Sequence, residues 1–177
     1  MTDKGYTHVY FGNGKGKTTA ALGLALRASG QGKKVVVVQF LKDWKCGELG
    51  QLELLPNITV LRGKAKGSTF VYEMSDEEKA QTKAMHDENL TSAMKLQQQD
   101  LCDLLILDEA IDAYQLGVLD AALLENLLSN KPDALELVIT GHKPEDRILE
   151  HADYITEMVK RKHPYDLGVS ARRGIEF

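Results

Sequence analysis

A glycine-rich loop after the first apolar run constrains the fold more than any other feature of the chain. The run Val9–Phe11 leads into the loop Gly12–Thr19, and helix-forming residues with apolar positions three and four apart follow until Gly30. Glycines let backbone N–H groups turn toward a chain of phosphates, Lys17 adds a positive charge, and the Thr18 hydroxyl can bind a phosphate-bound Mg²⁺. A plain strand-to-helix turn would leave the Gly-Lys-Thr-Thr ending unexplained. The sequence therefore predicts a nucleotide-binding loop.

The loop departs from the general pattern G-x-x-x-x-G-K-[ST] at one position. Counting back from Gly16 places the first glycine of the pattern at Phe11, and the nearest glycine is Gly12. The loop is therefore a variant. The residues expected to bind phosphates are Gly12, Asn13, Gly14, Lys15, Gly16, Lys17, Thr18 and Thr19.

Length and charge restrict the classes of protein to consider. A chain of 177 residues is long enough for one full core and short for two, so we expect a single domain over residues 1–177. The net charge of −4 argues against broad binding to nucleic acids or anionic membranes. The basic cluster Lys160–His163 could contact an anion, although a solvated surface run is the simpler interpretation.

The cysteines and the N-terminus indicate a cytoplasmic protein. Cys46 and Cys102 have no paired spacing, the first residues lack an apolar signal core, and no apolar stretch reaches membrane-spanning length. Cys102 is expected in the core at the edge of a strand, whereas Cys46 lies in a polar loop and could be exposed.

Short apolar runs alternate with segments of helical period, which predicts an α/β fold with a mostly parallel central sheet and helices on both faces. Two unbroken aliphatic runs, Val35–Val38 and Leu104–Leu107, belong in the middle of that sheet. The predicted strands are His8–Phe11, Lys34–Phe40, Ile58–Leu61, Leu104–Leu107, Leu135–Ile139 and Tyr154–Met158. After the helix that ends near Gly30, the predicted helices are Ser75–Gln99, Asp120–Ser129 and Asp146–Ala152.

An acidic pair follows the second aliphatic run. Asp108 at the C-terminal end of a central strand can hold the metal ion shared with Thr18, although capping of the next helix is an alternative role. Its position about ninety residues after the glycine-rich loop gives a Walker A and Walker B pair, so the sequence predicts a P-loop NTPase (RecA-like) fold. Glu109 could activate water in a hydrolytic enzyme or only coordinate metal in a transferase.

A further strand ends in Thr140-Gly141-His142 at the same edge of the sheet. His142 could contact phosphate there. A surface histidine in a helix-entry turn is an equally good interpretation of these residues.

The chain resembles the P-loop ATP:corrinoid adenosyltransferases. In that family the loop also lacks the upstream glycine, and the resemblance covers nearly the whole chain. The matching segments are Gly12–Ala21, Arg27-Ala28-x-Gly30-x-Gly32, Val38–Lys42, Trp44, Gly47-Glu48, Leu107–Glu109, Thr140-Gly141 and the C-terminal Lys162–Phe177.

The resemblance implies transfer of the 5′-deoxyadenosyl group of ATP to the cobalt of a reduced corrinoid, with release of triphosphate and use of Mg²⁺ or Mn²⁺. It also implies that ATP lies in the loop in the reverse of the usual direction, that the protein is a homodimer, and that a reduced flavoprotein supplies an electron. By this analogy Lys17, Thr18 and Glu109 are catalytic, and Thr18, Asp108 and Glu109 organise the metal ion. Further residues expected to contact ATP or the corrinoid are Arg27, Lys42, Trp44, His142, Lys162 and His163.

Two departures from the family pattern concern the second substrate. The family usually has Gly-Phe-Thr-Trp, with aromatic residues under the corrin ring, where this chain reads Gly67–Glu73. If Gly67 is aligned, Ser68 and Phe70 replace the aromatic pair; with a two-residue shift, Phe70 and Tyr72 replace it, and both alignments lose the tryptophan. The usual arginine after Thr140-Gly141 is His142. A P-loop ATPase or kinase-like enzyme, and a non-catalytic nucleotide- or corrinoid-binding relative, are the alternative functions.

Overall fold

A six-stranded, all-parallel sheet forms the centre of the molecule. The computed structural model describes residues 4–42, 46–63 and 71–176. The strands lie side by side in the order β3-β2-β4-β5-β1-β6, so β2 and β4 are interior strands, as the unbroken aliphatic runs predict. Their bounds are β1 Thr7–Phe11, β2 Val35–Gln39, β3 Ile58–Arg62, β4 Leu104–Asp108, β5 Glu136–Thr140 and β6 Tyr154–Glu157.

Six helices connect these strands in the described residues. The predicted helices are present, although the one predicted over Asp146–Ala152 ends at Leu149. Two short helices, α2 and α4, were not predicted. The helices are α1 Lys17–Gly30, α2 Leu49–Leu52, α3 Asp76–Gln98, α4 Ala110–Gln115, α5 Ala121–Ser129 and α6 Asp146–Leu149, with short 3₁₀ helices at Val71–Glu73 and Pro164–Leu167.

The core has two layers, one on each face of the sheet. Side chains of β2 alternate between them: Val35 and Val37 pack with α1, whereas Val36 and Val38 pack with α3, α4 and α5. The prediction of helices on both faces is therefore confirmed, and the fold is consistent with that of P-loop NTPases.

The longest helix is mostly polar, and its start is fixed by side-chain capping. Ser75 accepts a hydrogen bond from the backbone N–H of Glu78, and the Glu78 carboxylate accepts one from the N–H of Ser75. Only His86, Leu90 and Ala93 of α3 are buried. The helix therefore covers the sheet with a narrow buried stripe.

The two cysteines are both buried, which corrects the expectation that Cys46 could be exposed. Sequence polarity failed here because the Cys46 side chain interacts with Arg62 at the end of β3, a tertiary contact that the local composition does not encode. Burial raises the pKa of the Cys102 thiol to about 12, as expected for an inert core residue. In the described part of the chain, no helix combines the length and apolar character needed to cross a membrane.

Candidate nucleotide and corrinoid site

The glycine-rich loop follows β1 directly and has a shape that requires glycine. Gly12 and Gly16 have φ values of 111° and 114°, in the left-handed region that glycine favours. A Cβ on Gly14 would lie 2.6 Å from the carbonyl oxygen of Met158, and the Gly14 N–H donates a hydrogen bond to that oxygen at 2.6 Å. The segment after β6 therefore packs against the loop so closely that a side chain at Gly14 would collide with it.

Lys17, the first residue of α1, spans the loop. Its ammonium donates hydrogen bonds to the carbonyl oxygens of Gly12 at 2.7 Å and Gly14 at 2.9 Å. Burial lowers the pKa of Lys17, and the nearby carboxylates of Asp112 and Glu109 oppose that shift. The positive charge thus lies within the loop, where a chain of phosphates would bind.

A buried polar centre lies beneath the start of α1. The hydroxyl of Thr18 donates to Oδ1 of Asp108 at 2.8 Å, and Nζ of Lys42 lies 2.5 Å from Oδ2 of the same carboxylate. Lys42 also donates to the Thr18 hydroxyl at 3.1 Å and lies 3.5 Å from the Glu109 carboxylate. The Lys42 and Asp108 side chains are 8% and 0% exposed, so this ion pair is shielded from solvent.

The charges in this centre depend on one another. Burial disfavours the charged form of Lys42, but the carboxylates of Asp108 and Glu109 outweigh it and raise the pKa of this lysine. Burial also raises the pKa of Glu109, and the neighbouring Lys42 opposes this shift. Lys42 therefore stays cationic beside the carboxylates.

Thr140 at the end of β5 hydrogen-bonds to both acidic residues and was not among the predicted site residues. Its hydroxyl donates to Oδ1 of Asp108 at 2.8 Å and accepts from the backbone N–H of Glu109 at 2.9 Å. Glu109 has a φ of 62°, which is uncommon for a residue with a side chain. The signal that could have found Thr140 is a polar residue directly after a predicted apolar strand at the ligand edge of the sheet.

The donor set of this centre suits a hard divalent cation. Thr18, Asp108 and Glu109 offer one hydroxyl and two carboxylates, the oxygen ligands that Mg²⁺ and Mn²⁺ prefer. Within residues 4–42, 46–63 and 71–176, no group of three or more His, Cys, Asp or Glu side chains could hold a metal ion by itself. Phosphate oxygens and water would therefore have to supply the remaining ligands, as they do for Mg²⁺ in nucleotide sites.

One cavity of about 880 Å³ joins the loop, the polar centre and the C-terminal segment. Asp108 lies behind its wall, whereas Glu109 and Thr18 face it. The wall is formed by Asn13–Thr19, Leu22, Gly23, Leu26, Lys42, Cys46–Glu48, Glu109, Thr140, His142, His163 and Gly174–Glu176.

Two further contacts tie the C-terminal segment after β6 to the loop, in addition to the hydrogen bond between Gly14 and Met158. The backbone N–H of Lys160 donates to Oδ1 of Asn13 at 2.9 Å, and Nζ of Lys15 lies 2.9 Å from the carboxylate of Glu176. The first contact uses the backbone of Lys160, and the side chains of Lys160, Arg161 and Lys162 are exposed, as in a solvated surface run. Glu176 was not among the predicted site residues.

Several predicted site residues lie elsewhere. Arg27, in the last turn of α1, is ten residues or about 15 Å from Lys17 and does not line the cavity. Lys162 and Tyr72 are exposed, Tyr72 by 73%, and neither lines the cavity. Trp44 and Phe70 lie outside the described residues.

His142 and His163 do line the cavity. Nδ1 of His142 lies 3.0 Å from the carboxylate of Asp112, and its backbone N–H donates to the same group. This pairing orients the ring at the edge of the cavity. His163 caps the 3₁₀ helix that follows it, because its Nδ1 accepts from the N–H of Tyr165.

Comparison with known proteins gives a consistent result. The sequence model of the family described as ATP:corrinoid adenosyltransferase BtuR/CobO/CobP matches residues 3–177. A corrinoid adenosyltransferase of Escherichia coli (strain K12) is 35% identical over 176 residues, which cover 99% of this chain and 87% of the relative. Corrinoid adenosyltransferases of Salmonella typhimurium and Pseudomonas aeruginosa are 34% and 33% identical over 99% of this chain, and over 87% and 85% of their own lengths.

Proposed function

Because the chain belongs to the ATP:corrinoid adenosyltransferase family, we propose that it transfers the 5′-deoxyadenosyl group of ATP to the cobalt of a reduced corrinoid. The observation that carries this proposal is a single cavity that contains a phosphate-binding loop, an acidic centre and room for a nucleotide.

The proposed reaction is a nucleophilic displacement at the ribose. The electron pair of Co(I) forms a bond to C5′, the bond between C5′ and its oxygen breaks, and triphosphate leaves with the electrons of that bond. Cobalt becomes formally Co(III). The nucleophile is supplied by the corrinoid, so the protein does not need a general base and must instead align the reactants and stabilise the leaving group.

Lys17 and the loop amides are suited to that second task. Negative charge grows on the triphosphate as the bond breaks, and the ammonium of Lys17 lies within hydrogen-bond distance of the loop that would hold it. Lys15 and Lys42 add positive charge at two further sides of the cavity. We assign the loop Gly12–Thr19 to the triphosphate.

Thr18, Asp108 and Glu109 would hold the metal ion, with Thr18 and Glu109 at the cavity wall and Asp108 behind them. When bound, Mg²⁺ or Mn²⁺ supplies positive charge that neutralises the triphosphate. Among the protein side chains, Lys42 pairs with the Asp108 carboxylate and orients it, and Thr140 bonds to Asp108 and to the backbone of Glu109.

The corrinoid side of the proposal depends on the family more than on geometry. We assign Phe70 and Tyr72 to the lower face of the corrin ring, His142 and His163 to the edge of the cavity, and a homodimer as the working assembly. A reduced flavoprotein is the proposed electron donor. The cytoplasm, which supplies ATP and low-potential reductant, is the proposed compartment.

The test is an anaerobic reaction of the protein with ATP, Mg²⁺ and chemically generated cob(I)alamin. We expect adenosylcobalamin and triphosphate in equal amounts, measured by the absorbance of the cobalt–carbon product and by ion chromatography. ADP and phosphate without a cobalt–carbon bond would instead indicate an ATPase or kinase-like enzyme. Binding of both substrates without any product would indicate a carrier.

A further inference from the structure

His86 is a buried titratable side chain for which the proposed reaction has no use. It lies on α3, is 1% exposed, and packs edge-to-face against Phe40 with ring centroids 5.2 Å apart. Its Nδ1 lies 2.7 Å from the carbonyl oxygen of Val118, and its Nε2 lies 3.3 Å from the backbone N of Leu41. The ring therefore joins the loop after α4 to the chain that leaves β2.

These two partners determine where the ring carries its proton. A carbonyl oxygen can only accept, so Nδ1 of His86 must donate to Val118. A backbone N–H can only donate, so Nε2 must accept from Leu41. The neutral Nδ1–H tautomer satisfies both partners, whereas the other tautomer and the imidazolium do not.

Leu41, the residue whose N–H binds His86, has an unusual backbone conformation. Leu41 has a φ of 56°, a region that a residue with a side chain seldom adopts. Such a conformation persists only when its surroundings hold it in place. His86 provides one such restraint, because it binds the N–H of this very residue.

The next residue carries the ammonium that enters the polar centre. The carbonyl oxygen of Lys42 accepts a hydrogen bond from Arg62 at 2.8 Å, and Nζ of Lys42 lies 2.5 Å from Asp108. The backbone is thus held before Lys42 by His86 and after it by Arg62. A lysine side chain has many rotamers, so its reach toward Asp108 depends on where this backbone lies.

We propose that His86 is a positioning residue for the transfer reaction, which acts by holding Leu41 so that the Lys42 ammonium meets the Asp108 carboxylate. The proposal rests on the proposed function, because it takes the polar centre as part of the phosphate site. His86 itself does not line the cavity.

The experiment is a double-mutant cycle with His86→Asn and Lys42→Ala. The measured quantity is kcat for adenosylcobalamin formation at saturating ATP, normalised to the folded fraction from circular dichroism. We expect about a 10-fold loss for His86→Asn, about a 100-fold loss for Lys42→Ala, and no more than about a 2-fold further loss when both are combined. A purely structural role predicts losses that multiply, to about 1,000-fold, and that result would overturn the proposal.

A matched pair of variants separates the two hydrogen bonds of the ring. Asparagine places its amide N–H near the position of Nδ1 and keeps the bond to Val118, whereas glutamine places its amide oxygen near Nε2 and keeps the bond to Leu41. We therefore expect His86→Gln to retain a kcat within about 3-fold of the parent, while His86→Asn does not. Equal kcat values for the two variants would contradict the assignment.

A replacement variant and a second measured quantity keep the test decisive. If His86→Asn does not fold, His86→Met takes its place in the cycle, because methionine fills the volume without a strong acceptor for Leu41. If the parent forms no adenosylcobalamin, the proposed function fails. The same cycle, measured in the dissociation constant of Mg·ATP, then still decides whether His86 acts through Lys42.

Discussion

The cavity has two walls of different construction. One wall, at the strand ends, includes Thr18, Thr140 and Lys42, whose side chains all donate hydrogen bonds to the buried Asp108 carboxylate behind it. The other wall, the C-terminal segment after β6, is almost entirely exposed and is held by surface ion pairs such as that between Lys15 and Glu176.

The difference has an energetic cause. A buried polar group that loses its partner costs about 1–3 kcal/mol, so the side chains of the first wall have strongly preferred positions. An exposed ion pair contributes about 0–1 kcal/mol and is screened by salt. We infer that the strand-end wall fixes the geometry of the reacting groups, whereas the C-terminal wall adapts to what is bound.

Lys17→Ala is expected to have the largest effect on activity, because it removes the cation assigned to the triphosphate. We expect kcat at saturating ATP to fall about 10²- to 10³-fold, by analogy with the loss of one charge-stabilising donor. Thermal unfolding should shift little, since the lysine only bonds to loop carbonyls. Lys83→Ala, which breaks ion pairs with Asp87 and Asp120 outside the cavity, is the control. A parental kcat in Lys17→Ala would remove the assignment.

Thr140→Val tests the buried wall directly. Valine matches threonine in shape but leaves the Glu109 N–H without its acceptor and removes one donor from Asp108. We expect the free energy of unfolding, measured by urea titration, to fall by about 1–3 kcal/mol, together with kcat. Thr140→Ser keeps the hydroxyl and should retain most of both. If valine and serine were equivalent, the hydroxyl would have no such role.

The pH dependence of stability tests the support behind that wall. Burial lowers the pKa of His86 below its usual value, with the Val118 carbonyl and Asp87 opposing, so the unfolded chain binds this proton more readily than the folded one. Stability should therefore decrease as pH falls below about 6.5, with a slope of up to about 1.4 kcal/mol per pH unit. Urea titrations from pH 7.5 to 5 measure this slope. The His86→Gln variant should show a flatter slope. An unchanged slope would mean that the pH dependence of stability comes from another titratable group.

The two walls also differ in how far the sequence predicts them. The loop and the acidic pair were predictable because each occupies a local position: the loop lies between a strand and a helix, and Asp108 ends an aliphatic run. The placement of Lys42 on Asp108 was not, since it depends on β2 lying beside β4 with Gln39 opposite Asp108. Sheet order and register are tertiary properties that no local pattern encodes.

Short elements and long-range packing account for the remaining differences. Helix α4 was missed because it has six residues and starts after Glu109, whose φ of 62° gives no sequence signal. Cys46 is buried although its segment is polar in composition. The contact of His86 with Leu41 joins residues that are 45 positions apart along the chain. The contact between Glu176 and the loop spans nearly the whole sequence.

Glu176→Gln is expected to have the smallest effect, because it acts on the exposed wall. The guanidinium of Arg172 and the ammonium of Lys15 hold the pKa of Glu176 below its usual range, so the carboxylate is charged at neutral pH and pairs with the loop lysine. Its removal frees Lys15 for phosphate, and the KM for ATP should fall about 2-fold at low salt with kcat unchanged. At high salt the difference from the parent should disappear, since an exposed pair is screened.

Asp166→Asn is the matched control for Glu176→Gln. It breaks the ion pair between Lys160 and Asp166, which is also exposed and lies in the same C-terminal segment, but it leaves Lys15 paired. Steady-state kinetics at two salt concentrations then separate a specific contact with the loop from a general loss of acidic charge. An equal fall in KM for both variants, or a fall that persists at high salt, would mean that the C-terminal wall acts on ATP by some route other than Lys15. Both walls would then need to be regarded as fixed parts of the site.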